Sequence, residues 1–315
     1  PGRIRSVTWG EFLAELANPD EDWFYISGVY PEEFGRISEA LRLPAGFLWS
    51  KLVDGSYPRI DVLEGYLTVF VHYPRVKQVE GAASGLEIER TGTLIVGSAQ
   101  NLVTLAREPR GLHERMIEVL EAVDPNVPFL VRIMYALIRH LIERYGEVVE
   151  ALERQVALLE NLPATESSQR FLEASFHLKR QIATTSGNLW HFKEMVRALA
   201  EKRVPLRGFD AARHQSMFEV LADDANYRYE TANNVREALI SLIELHLNVV
   251  SFEMNKVMRI LAIVTTVALV PSVAGGLFGM NLDGIPHVPF WNIVFGVGVG
   301  MTVCLYVFAV KGWLR

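Results

Sequence analysis

Three side chains able to engage a cation stand close together near the end of the chain. Asn281, Asp283 and His287 lie on a short segment opened by Gly279-Met280-Asn281. The neutral amide of Asn281 suits one chemistry in particular. Mg2+ gives up its waters reluctantly, and amide or backbone carbonyl oxygens hydrogen-bond those waters without trapping the ion, as conduction requires. A carboxylate in the same place would hold the cation more tightly. Asp283 is instead placed to concentrate cations near the turn. Other chemistries find little support. His72, His140, His177, His191, His214 and His246 show no pair at a metal-ligand spacing such as i, i+4. Cys304 is the only cysteine, which excludes an intrachain disulfide and a Cys-based zinc site. No Ser-His-Asp set, HExxH helix or phosphate-cradling loop is placed where it can act. The chain is therefore expected to be no enzyme and to carry no cofactor. Its formal charge of −6 lacks the basic face that nucleic-acid binding uses.

The elements that must hold this turn are two uncharged stretches, Ile260 to Leu282 and Gly284 to Val310 with His287 neutral. Each is long enough to cross a bilayer, since about 20 apolar residues span its hydrocarbon core. Pro286 and Pro289 prevent one continuous helix. The expectation is a membrane hairpin. Lys256 and Arg259 precede the first span, Lys311 and Arg315 follow the second, and the loop between carries no Lys or Arg. By the positive-inside rule both ends face the cytoplasm and the turn faces out. Trp291 and Trp313 suit the two interfacial belts. Gly275 with Gly279, and Gly296 with Gly300, form small-xxx-small pairs suited to close packing in lipid. The opening residues, with Arg3, Arg5, Glu11 and Glu15, do not read as a signal peptide.

The remainder divides in two, giving residues 1–110 as an α/β domain, 111–255 as a helical stalk and 256–315 as the hairpin. Strand-like runs appear at Asp22–Ile26, Leu67–His72, Thr93–Val96 and Asn101–Leu105, punctuated by Gly and Pro. Thr8–Leu16 and Phe34–Leu41 read as amphipathic helices, the first with a Thr8/Glu11 capping box. Beyond Pro109 the period changes. Met134, Leu137, Leu141, Val148, Leu152 and Leu159 follow a near-heptad spacing within Val131–Glu160, and Phe171–Ala200 is a second helical stretch. The third is extreme, since the 62 residues from Phe209 to Val270 contain no Gly and no Pro. As one helix at roughly 1.5 Å per residue they would extend about 90 Å. A helix of that length must be packed in a bundle.

A long helix entering a membrane, Gly279-Met280-Asn281 at its outer end, a short second span and a basic tail together resemble the CorA superfamily of divalent-cation channels. Asn255-Lys256-Val257-Met258-Arg259-Ile260-Leu261 resembles that family's entry into its first span. The resemblance implies an α+β fold with a cytoplasmic α/β domain, a long stalk and two C-terminal transmembrane helices, assembled as a homopentameric funnel in the inner membrane. It implies that Asn255, Met258, Leu261, Thr265, Leu269, Ser272 and Gly276 line the pore and that Gly279, Met280 and Asn281 select the ion. Such spacings keep one helical stripe towards an axis. Met258, Leu261 and Leu269 would form apolar constrictions that gate by dewetting, with Thr265 and Ser272 supplying hydroxyls between them.

Three departures set this chain apart from the family's magnesium branch. The outer loop reads Ile285-Pro286-His287-Val288, with His287 where a glutamate is usual, and Gly284-Ile285-Pro286 looks like the ZntB-type zinc transporters of the same superfamily. The stalk carboxylate of the family's regulatory inter-subunit metal site falls at Val220, leaving Glu219, Asp223 and Asp224 as candidates. The basic tail is reduced to Lys311 and Arg315. The expected function is transport of Mg2+, with Co2+ or Ni2+, through a homopentameric pore. The alternatives are a zinc transporter of the same fold, or a membrane-anchored sensory or structural oligomer that conducts nothing. Its expected partners are copies of itself, membrane lipid and divalent cations, not nucleic acid.

Overall fold

The structure, a computed structural model, describes residues 5–17, 22–29, 33–53, 57–63, 66–78, 85–97, 101–106, 120–121, 123–161, 168–201, 203, 210–280 and 288–313. The chain separates into two compact units, Pro1–Ser241 and Leu242–Arg315.

The first unit opens with α1 (Trp9–Leu16), whose start is set by its cap. Thr8 Oγ1 accepts from the Glu11 backbone N–H at 3.4 Å, and Glu11 Oε2 accepts from the Thr8 N–H at 2.7 Å. Two orphan donors of the first turn are thereby satisfied. Then follow β1 (Trp23–Ser27), α2 (Phe34–Leu41), α3 (Ala45–Val53), β2 (Arg59–Leu63), β3 (Tyr66–Gln78), β4 (Leu86–Gly97) and β5 (Leu102–Ala106). The sheet order is β1-β5-β4-β3-β2; β1 runs parallel to β5 and the other pairs are antiparallel. Leu67 to His72 and Leu102 to Ala106 are buried without alternation, the pattern of a sheet covered on both faces. Phe70, Leu94, Val96, Val103 and Leu105 join Phe12, Phe34, Ile37, Leu41, Leu48 and Leu52 of α1 to α3 in one core. The next helix, α4 (Phe129–Glu160), packs on β3 and β4.

Two elements escaped the sequence reading, and two strands exceed it. Neither α3 nor β2 is among the expected elements: both are short, and each is closed in by breakers, α3 by Pro44 and Gly55 and β2 by Pro58 and Gly65. β3 continues well past His72 and includes Pro74, which reads as a breaker. Pro74 lies beyond the Arg59–Phe70 register position where β2 ends, so β3 there has only β4 as partner. A missing N–H is tolerated at such an edge.

The long helices are as their periodicity predicts. Met134, Leu137, Leu141, Val148, Leu152 and Leu159 are all buried on α4. α5 (Ser168–Ala200) pairs with α4. Then comes α6 (Ala211–Phe278), one helix of 68 residues. Within the first unit it buries Phe218, Leu221, Ala225, Ala232, Val235 and Leu239. Phe218 meets Tyr135 of α4 edge-on at 6.3 Å, and Lys193 Nζ of α5 donates to Asn226 Oδ1 at 3.0 Å. These contacts form the bundle that a helix so long requires.

His72 gives this unit a pH dependence. Burial, with the positive charge of Arg90 adding to it, pushes the imidazole down to about 4. An unfolded chain protonates His72 near 6.5, whereas the folded chain does not until about pH 4, so stability falls as pH drops through that window. At 1.36 kcal/mol per unit the loss is about 3 kcal/mol. His72→Gln is expected to flatten the decline in thermal melting between pH 7 and 4.5. Equal slopes for variant and wild type would show that His72 is not responsible.

Candidate ion-conduction face

The second unit holds the end of α6 and α7 (Phe290–Val310). Both helices are long and apolar enough to cross a membrane, and 6% and 0% of their apolar windows are buried. A core helix of a soluble protein would be mostly buried, so this surface is suited to lipid or to further protein.

α7 covers one side of α6. From 260 to 278, Ile263 is buried and Ala262, Val267, Val270 and Ala274 are half-buried. On α7 the half-buried positions are Ile293, Val297, Gly300, Met301, Cys304 and Phe308. A Cβ placed on Gly300 would lie 3.0 Å from Val270 Cγ1, which marks the close approach of the two helices. Other glycines of these two helices, the expected packing residues Gly275 and Gly296 among them, behave differently. Nothing lies within 4 Å of a Cβ at Gly275, Gly276, Gly296 or Gly298, so among the described glycines of the second unit it is Gly300 that meets a side chain of the neighbouring helix.

The seven residues expected on the pore all lie on α6, and all are exposed: Asn255, Met258, Leu261, Thr265, Leu269, Ser272 and Gly276. At about 100° per residue their stripe is centred roughly opposite the face carrying Ile263, Val267, Val270 and Ala274. Met258, Leu261 and Leu269 are 58%, 54% and 60% exposed, an apolar strip that calls for a cover. Bands of polar and apolar side chains therefore alternate along the free side of this helix.

Its hydroxyls have a defined polarity, which the sequence reading missed. Thr265 Oγ1 donates to the Leu261 carbonyl at 2.9 Å and approaches that of Ala262 at 3.1 Å; Ser272 Oγ donates to the Ala268 carbonyl at 2.9 Å. With its own proton committed to the backbone, each oxygen presents lone pairs outward. Waters around a cation point their hydrogens outward, so oxygens of this polarity are able to accept from them. The usual back-bonding of Ser and Thr inside apolar helices is the signal that would have shown this.

At the outer end α6 stops at Phe278, and Gly279 N–H donates to the Gly275 carbonyl at 2.9 Å. A Cβ on Gly279 would sit 2.6 Å from that carbonyl oxygen. The clash is with backbone, which cannot move aside, so this turn needs glycine. Gly279→Ala is expected to cost about 1–3 kcal/mol, as overpacking does, read as a lower melting temperature. A variant as stable as wild type would contradict this packing. Met280 follows, 51% exposed; Asn281, Asp283 and His287 lie outside the described residues.

The carboxylates expected at a regulatory site are on α6 in the first unit. Glu219, Asp223 and Asp224 are exposed, and Gln215 Nε2 donates to Glu219 Oε1 at 2.8 Å. Among the described residues no three His, Cys, Asp or Glu side chains gather to hold a metal within the chain.

Known proteins share this arrangement. The family described as CorA-like Mg2+ transporter protein matches residues 20–311. The cobalt/magnesium transport protein CorA of Methanocaldococcus jannaschii is 21% identical over 311 residues, 96% of this chain and 95% of that protein. Its complete structure superposes with a TM-score of 0.75 over 92% of this chain and 90% of that one. The protein of the same name from Thermotoga maritima is 21% identical over 306 residues, covering 93% and 83% of the two chains. The full-length CmaX structure is 22% identical, with a TM-score of 0.67 over 92% of this chain and 88% of that one. With the family model matched over residues 20–311, a long helix that ends at Phe278 just before the Gly-Met-Asn sequence, and a second apolar helix after it, the chain belongs to the CorA-like Mg2+ transporter protein family.

Proposed function

We propose that the chain assembles as a homopentamer that conducts divalent cations, Mg2+ foremost and Co2+ or Ni2+ with it, across the inner membrane. Both termini lie in the cytoplasm, and Gly279, Met280 and Asn281 stand at the outer mouth. Asn255, Met258, Leu261, Thr265, Leu269, Ser272 and Gly276 face the axis. The observation that carries this reading is the free side of α6, where all seven are exposed on the face away from α7. Five such faces around an axis cover the apolar strip and enclose the outward-facing oxygens of Thr265 and Ser272. The ion then passes with most of its waters, which suits the reluctance of Mg2+ to shed them. Asp283 and His287 stand beside the mouth, and Glu219, Asp223 and Asp224 are the carboxylates available to a regulatory metal between subunits. The relatives from M. jannaschii and T. maritima are named for cobalt and magnesium transport, which agrees with these ions.

The test is metal uptake by purified full-length protein in liposomes, with Mg2+, Co2+ and Zn2+ compared side by side, together with native mass spectrometry. The expected result is a pentamer that takes up Mg2+ and Co2+. Uptake of Zn2+ alone would assign the chain to the zinc reading. A monomer or dimer with no uptake of any of the three would overturn the proposal.

A further inference from the structure

Pro271 interrupts α6 at the level where α7 touches it. Proline has no N–H, so the Val267 carbonyl loses its helical donor, and the ring crowds the preceding turn. α6 nonetheless continues to Phe278. In lipid a break of this kind persists where a neighbouring helix supports it. The residue immediately before the proline is Val270, and it is Val270 that meets Gly300, 3.0 Å from where a Cβ there would stand. Val270 is β-branched and in a helix is held largely to one rotamer. It cannot swing away from an added methyl group, so the helices themselves must part.

We propose that Gly300 and Val270 form a positioning contact that braces α6 at Pro271 and holds Ser272, Gly276 and the Gly279 turn in line with Thr265 and Leu269. The proposal rests on the transport reading above, and adds to it a residue of the second span that touches no ion. Seen this way, α7 is more than a membrane anchor. It is the splint that keeps the two halves of the conduction stripe on one face, and the splint requires a bare backbone at 300.

The chain carries its own reporter. Cys304 is its only cysteine and lies one turn beyond Gly300 on the half-buried face of α7. Modification of full-length protein by N-ethylmaleimide in detergent thus follows the separation of α6 and α7 without reference to transport. Gly300→Leu is expected to raise the labelling rate severalfold and to lower Mg2+ flux in liposomes to a similar degree, with Gly300→Ala doing both more weakly. Adding Val270→Ala to Gly300→Ala makes room for the methyl group and is expected to return both towards wild type. That rescue is the outcome a general loss of folding would not give, and the Ala series stands by itself if the Leu variant fails to assemble. Unchanged labelling in Gly300→Ala and Gly300→Leu overturns the contact. Raised labelling with undiminished Mg2+ flux overturns its positioning role. A wild type that conducts no divalent cation removes the transport reading and the positioning role with it, while the labelling series still decides the contact.

Discussion

Asn281→Ala is expected to abolish Mg2+ uptake while leaving the oligomer intact. In the proposed role the amide accepts from and donates to the waters of the ion, and alanine offers neither. A hydrogen bond to a charged species contributes about 1.5–3 kcal/mol, and in the proposed pentamer five subunits lose it together, so flux is expected to fall on the order of 100-fold or more. Assembly should survive because the substitution falls beyond α6, which ends at Phe278, and exchanges a polar side chain for a small apolar one. Uptake is measured in liposomes and assembly by native mass spectrometry on the same preparation. A correctly assembled Asn281→Ala protein with wild-type flux would remove Asn281 from the selectivity role.

Thr265→Val is the second large effect. The two side chains have nearly the same shape, so the α6 surface is kept while the outward-facing oxygen is replaced by a methyl group. Because the Thr265 proton is already given to the Leu261 carbonyl at 2.9 Å, the substitution removes an acceptor from the proposed conduction face. A net hydrogen bond is worth about 0.5–1.5 kcal/mol, and its loss in every subunit predicts a fall in flux of about tenfold or more. The melting temperature should hardly move, since Thr265 is exposed in the chain. Thr265→Ser keeps the oxygen and should conduct. Valine and serine variants with equal flux would place Thr265 off the ion's path.

Legibility in the sequence varied with the range of the interaction involved. The capping box at Thr8 and Glu11 was readable because its partners are three residues apart. The buried stripe of α4 was readable because helical periodicity repeats a local rule over many turns. α6 was readable for a different reason: a stretch without Gly or Pro removes the two cheapest ways to end a helix. The reading placed its start at Phe209, whereas the helix begins at Ala211. Strand boundaries fared worse. Pro74 inside β3 is allowed only because β2 has already ended, and that is a statement about a neighbour. The parallel pairing of β1 with β5 joins residues 79 apart, such as Trp23 and Leu102, which nothing in either segment announces.

The candidate site divides in the same way. Which residues form the proposed conduction stripe is what the resemblance to the CorA superfamily implies; spacing by itself shows that they share one face of one helix. A run without charge makes a membrane span possible from composition alone, because a charge in hydrocarbon is costly. Tertiary structure decided which side of α6 is left free. That choice depends on where α7 lies, and α7 lies against Val270 because Gly300 has no side chain to hold it off. It also decided the polarity of Thr265 and Ser272, whose protons go to carbonyls of the preceding turn. Composition determines that a segment can enter the membrane; contact between segments determines which of its faces is left uncovered.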